Sequence, residues 1–173
     1  MKKFTNLMVV MLTVFFAGSF MACSNDDDKE KDKDTLKADV KYKYTISEDL
    51  LKVADFTVTY YDKNGVKQET QMTDTIWNME FEAEELPVTL GYKIASKPKE
   101  NLQLDKESYT ASSSKTICIV VGDEVMESSF NGGVEGIHKE RMEAYLSSRR
   151  ADVNKYHVDA EGKITNLSLD EEF

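Results

Sequence analysis

The chain has 173 residues, with 22 lysines and arginines against 32 aspartates and glutamates, for a formal charge of −10. That balance argues against a nucleic-acid binder, which needs clustered basic residues. Two cysteines in the whole chain leave no room for a disulfide framework or a cysteine metal cluster.

Lys2 and Lys3 precede an almost wholly apolar run, Leu7 to Phe20. The run falls short of the roughly 20 apolar residues a bilayer span needs. A charged start, a brief apolar core and a small residue at Ala22 are the parts of an export signal covering residues 1–22. Cleavage there leaves Cys23 at the new N-terminus, where sulfur and amine can both be acylated. Removing 1–22 takes away only Lys2 and Lys3, so the remainder carries −12.

Ala22-Cys23 resembles a lipobox, and Ser24, Asn25, Asp26, Asp27 and Asp28 are similar to the acidic export tag of surface lipoproteins in gut Bacteroidota. Phe20, three residues before the cysteine, departs from the usual leucine or valine and fits the looser lipobox of that group. The resemblance covers about the first 30 residues. It implies lipidation of Cys23 and attachment to the outer membrane, with the domain facing the cell exterior. A single acyl chain binds only marginally, so a multiply acylated cysteine is what makes such an anchor lasting.

From Asp26 to Asp34 every residue is charged, a composition with too little apolar surface to fold. Residues 23–37 therefore read as a tether. Extended at about 3.3 Å per residue, Ser24 to Lys37 reaches roughly 45 Å.

Period-two alternation begins at Ala38. Val40, Tyr42, Tyr44 and Ile46 alternate with polar residues, as do Phe56, Val58 and Tyr60, which predicts half-buried strands. Asp62-Lys63-Asn64-Gly65 reads as a hairpin turn, with glycine free to take positive φ. Val66 to Met72 returns as a polar edge strand. Thr75 to Glu82 places Trp77, Met79 and Phe81 on one face, and Pro87 and Pro98 bracket a strand from Val88 to Lys97. Ser108–Ser113 and Thr116–Val121 read as one strand broken at a polar edge of serines, and Glu124 to Phe130 as the last of the set.

Asn131-Gly132-Gly133 breaks the pattern. His138, Met142, Tyr145 and Leu146 then share a helical stripe running to about Arg150, with Arg149 and Arg150 at the negative end of the helix dipole. A small hairpin turning at Ala160-Glu161-Gly162 closes the chain. The expectation is a mainly β protein. Residues 38–130 form an immunoglobulin-like antiparallel β-sandwich, and residues 131–173 add one short α-helix and a C-terminal β-hairpin packed on it. The immunoglobulin label rests on strand count, since paired cysteines around a tryptophan are absent.

Little chemistry stands out. His138 and His157 are the only histidines, and no metal motif, nucleophile elbow or phosphate loop is present. Asp62 to Gly65 resembles half a calcium loop but lacks the later ligands, so turn chemistry explains it. No catalytic residue, metal or cofactor is expected. Cys118 reads as a small buried hydrophobe and Trp77 as a core residue. Tyr60 and Tyr61 are neighbours on a strand and point to opposite faces, which makes Tyr61 the candidate ligand contact. Asp34-Thr35-Leu36 and Asp74-Thr75-Ile76 resemble the Asp-Thr-apolar O-glycosylation acceptor of Bacteroidota, at Thr35 and Thr75.

The expectation is a non-enzymatic binding or adhesion module held to the membrane through lipid, meeting a glycan or an envelope protein. One alternative is a structural subunit of an outer-membrane or pilus-like assembly, pairing through the Val66–Met72 edge. Another is a hydrolase with unremarkable carboxylates.

Overall fold

The computed structural model describes residues 36–168 and Phe173. Cys23, the acidic tag and Thr35 lie outside them. Among the described residues the chain forms β1 (Ala38–Ile46), α1 (Glu48–Val53), β2 (Ala54–Tyr61), β3 (Lys67–Gln71), β4 (Ile76–Ala83) and β5 (Val88–Pro98). Then come β6 (Ser108–Val121), β7 (Glu124–His138), α2 (Lys139–Ser148), β8 (Asp152–Val158) and β9 (Ile164–Asn166). Two antiparallel sheets result, in the orders β4-β1-β6-β7 and β3-β2-β5-β8-β9. This is a generic β-sandwich-like fold rather than a specifically immunoglobulin-like one.

Alternation builds the core. Val40, Tyr42, Tyr44 and Ile46 of β1 are buried, and so are Phe56 and Val58 of β2 and Leu90, Tyr92 and Ile94 of β5. Tyr42 and Tyr92 meet between the sheets with ring centroids 5.4 Å apart, and Trp77 of β4 packs against both. Trp77, expected in the core, is half-buried and packs against the core from β4. The buried hydroxyls are not orphaned. Tyr42 accepts the Gly91 N–H at 2.7 Å, and Tyr92 donates toward the carbonyls of Lys43 and Thr116. The Asp62 turn forms as the sequence predicts. Asp62 Oδ1 accepts the N–H groups of Asn64 and Val66, and Gly65 takes φ +68°.

Several expectations are corrected. Asn131-Gly132-Gly133 does not end the strand, because β7 continues for fifteen residues and pairs with β6 on both sides of a bulge opposite Ser113. A Cβ at Gly132 would sit 3.0 Å from the Ser113 carbonyl oxygen, and Gly133 takes φ +68°. Glycine allows the extra residue to be absorbed without leaving the sheet. Ser112, Ser113 and Ser114 are not at an edge, since β6 lies between β1 and β7. Their polarity is used inside the sheet, where the Ser114 and Thr45 hydroxyls hydrogen-bond.

The C-terminal hairpin forms as β8 and β9. β8 pairs with β5 from Val88↔Val158 to Ile94↔Asp152, and so extends the second sheet. The helix is shorter than expected. α2 stops at Ser148, which puts Arg149 and Arg150 beyond its last turn. Met142 and Leu146 bury its inner face as predicted. His138 ends β7 and caps α2, its Nδ1 accepting the Glu140 N–H at 3.4 Å. α1 has no counterpart in the sequence reading. Its Leu50 and Val53 are buried, and Asp49 accepts the Thr110 N–H of β6 at 2.8 Å.

Candidate functional site

A strand at the edge of a sheet presents unpaired backbone groups, and natural proteins blunt such edges with charge, proline, bulges, brevity or cover. Three of the four edges here are blunted. β9 has three residues. β3 is the polar segment Lys67-Gln-Glu-Thr-Gln71, with the Phe173 ring beside Lys67. On β4 the outward Glu80 and Glu82 form ion pairs with Lys41 and Lys37 at 2.8 Å each.

β7 is different. It is the longest strand, holds no proline, lysine or arginine, and is exposed over most of its length. Val125, Phe130 and Val134 are 63%, 55% and 79% exposed, which makes this strand the main concentration of exposed large apolar residues among those described. The register gives each a face. Val125 and Val134 pair with Val120 and Ser112 on the outer side of the sheet, whereas Phe130 pairs with Lys115 on the side of the buried Ile117 and Ile119. The strand thus carries apolar groups on both faces.

Behind Phe130 a polar cluster ties the edge to the body. Lys115 Nζ lies 5.8 Å from the Phe130 ring centroid and 3.1 Å from Asp152 Oδ1. Tyr44 donates to Asp152 Oδ2 at 3.3 Å and accepts from Arg149 Nη2 at 3.4 Å. Burial, reinforced by the Asp152 carboxylate, pushes the Tyr44 phenol up to about 12. Arg149 also donates to the Tyr145 hydroxyl and lies over the Phe56 and Tyr145 rings, while its buried Nε has no hydrogen-bond partner. The sequence assigned Arg149 to the helix dipole, whereas the fold makes it a clasp joining β1, β2 and α2. Farther along the same inner side of β7 a cleft opens toward α2, lined by Glu135, Ile137, Glu140, Arg141 and Tyr145.

The residues singled out from sequence do not converge. Tyr61 is half-buried, with the Phe173 ring 5.1 Å away. Thr75 is half-buried in the β3–β4 connection, where its hydroxyl donates to Asp74 Oδ1 at 3.1 Å. Cys118 is half-buried on the outer face rather than buried, because it falls between Ile117 and Ile119 in the alternation. Burial and then Glu127 push its thiol pKa up. His138 sits beside Glu107 and Glu140, while His157 lies on β8 opposite Thr89 and Thr165. Among the described residues no group of three or more metal-ligating side chains gathers, and no helix is long and apolar enough to cross a membrane.

Phe130 and Val134 were missed. Their signal was present in a polar run, where two large apolar residues flank Asn131-Gly132-Gly133. Glycine pairs read more readily as a loop than as a bulge.

No known family model matches the chain, and no curated protein or solved structure matches it either.

Proposed function

We propose that this is a non-enzymatic interaction module of the cell surface, held to the outer membrane by acylated Cys23, whose contact surface is the free edge of β7. The observation that carries the reading is a fifteen-residue edge strand whose protection is limited to one bulge and the carboxylates of Glu124, Glu127 and Glu135, with Val125, Phe130 and Val134 in solvent. An edge of this kind favours a protein partner, recognised through added backbone hydrogen bonds, over a glycan stacked on Tyr61. The anchor rests on the sequence alone: the Lys2-Lys3 start, the apolar run, Ala22-Cys23 and the acidic tag. Thr35 and Thr75 are carried forward as O-glycosylation sites, to be checked by mass spectrometry of protein from its native host.

Hydrogen exchange tests the contact surface. Amides from Met126 to Glu135 should exchange more slowly in native outer membranes than in purified, detergent-solubilised protein. Equal exchange in both settings overturns the β7 assignment. For the anchor, Cys23→Ser should abolish labelling by radioactive palmitate and release the protein from the membrane fraction. A variant that stays membrane-bound and acylated removes the lipoprotein reading.

A further inference from the structure

β7 carries a charge signature as well as an apolar one. Glu124, Glu127 and Glu135 lie along it, and no lysine or arginine occurs between Glu124 and His138. The cleft beside it adds Glu140, with Arg141 as the basic residue in its lining. Glu124 accepts the Ile164 N–H at 3.3 Å and Glu127 accepts the Ser129 hydroxyl at 3.5 Å, and Glu127 and Glu135 both stand exposed on the strand. Glu127 pairs with Cys118 on the outer side of the sheet, and Glu135 pairs with Ala111 on the inner side. Each face of the edge thus holds both an exposed carboxylate and an exposed apolar group.

Like charges directly opposite one another across strands are destabilising, and opposite charges are favourable. A second copy of β7 would bring an all-acidic edge against another, so self-pairing is disfavoured. Aromatic faces attract cations through the ring quadrupole. The Phe130 ring already faces the Lys115 ammonium, 5.8 Å from its centroid, so the attraction for a partner's cations falls to Glu127 and Glu135.

Resting on the assignment of β7 as the contact surface, we infer that its partner is an extended protein segment that presents apolar residues and lysine or arginine on both of its faces. It adds to the sheet as a fifth strand beside β7. The stretch from Met126 to Glu135 spans about 33 Å at about 3.3 Å per residue, which suits a docked segment of about ten residues. The bulge at Gly132-Gly133 interrupts the ladder, so pairing runs along the longer arm before it and resumes at Val134. Backbone pairing supplies the attachment, and the charge pattern supplies the choice of partner.

Synthetic peptides test this on the full-length protein in detergent. One repeats two valines followed by two lysines, so that each face carries both, a second replaces the lysines with threonine, a third with glutamate, and a fourth is the lysine peptide with two central prolines. Affinity and amide exchange at β7 are both read. The lysine peptide should slow exchange from Met126 to Glu135 and bind at least about tenfold more tightly than the threonine peptide. The glutamate and proline peptides should bind more weakly still. A Glu127→Gln/Glu135→Gln variant, its fold checked by circular dichroism, should bring the lysine-to-threonine ratio below about threefold.

If the threonine peptide protects β7 as well as the lysine peptide does, the charge inference is overturned and the edge assignment stands. If no peptide slows exchange at β7, or protection falls on β3 or β4 instead, both are overturned. Undiminished binding of the proline peptide shows diffuse charge attraction in place of strand addition, and overturns the inference as well.

Discussion

Gly91 shows how a single backbone position can fix the distance between strands. It sits in β5 at φ +130°, and a Cβ there would fall 2.1 Å from the Asn154 carbonyl oxygen of the neighbouring β8. Its N–H also donates to the buried Tyr42 hydroxyl at 2.7 Å. Gly91→Ala therefore meets both a steric clash and a disfavoured φ, and should cost more than about 3 kcal/mol in urea unfolding. Tyr42→Phe leaves the Gly91 N–H unsatisfied and should cost about 1–3 kcal/mol by the same measurement. Tyr44 gives a pH signature. Its phenol rises from 10.0 to about 12, chiefly by burial and then by Asp152, with Arg149 opposing. Above pH 10 the unfolded chain releases this proton while the folded chain keeps it. Stability is therefore intact below pH 10 and falls up to about pH 12, by up to about 1.4 kcal/mol per pH unit. Burial raises Tyr42 and Tyr92 as well and steepens the decline. Urea midpoints across this range should show a shallower fall for Tyr44→Phe.

At the scale of elements, α2 is held by two apolar side chains and then by the clasp that follows it. Leu146 is almost fully buried, so Leu146→Ala should destabilise by about 2–5 kcal/mol. Arg149→Ala removes donors to Tyr44 and Tyr145 together with contacts over Phe56 and Tyr145. It should cost about 1–3 kcal/mol, and Arg149→Lys should recover little, because an ammonium cannot reproduce the planar fork. Thermal unfolding of the three variants checks both expectations. The helix stripe of Met142 and Leu146 was legible in the sequence because periodicity is a local property. The role of Arg149 was not, since its partners lie on β1, β2 and α2, up to 105 residues away. The bulge in β7 was hidden for a related reason. Two glycines look alike in a loop and in a strand until the neighbouring strand defines the register.

For the molecule as a whole, the placement of β8 decides what is separable. β8 lies between β5 and β9 and contributes the buried Tyr156 and Val158 to the core. Deleting residues 151–173 would strip β5 of a neighbour along Val88 to Ile94. The shortened protein should lose its cooperative urea transition; a two-state transition near the parent midpoint would contradict this. β7 runs across residue 130, where the sequence reading ends the sandwich and begins the helix and hairpin.

Alternation from Ala38 to Ile46 and from Ala54 to Tyr61 determined which side chains face inward, because strand geometry sends successive residues to opposite faces whatever lies beyond. The Asp62 turn and the inner face of α2 follow from equally local rules. Which strands are neighbours, which edge is left bare, and where Phe130, Tyr61 and Arg149 come to rest depend on pairings between distant segments. Those pairings minimise exposed apolar area over the whole chain, and no window of sequence contains that sum.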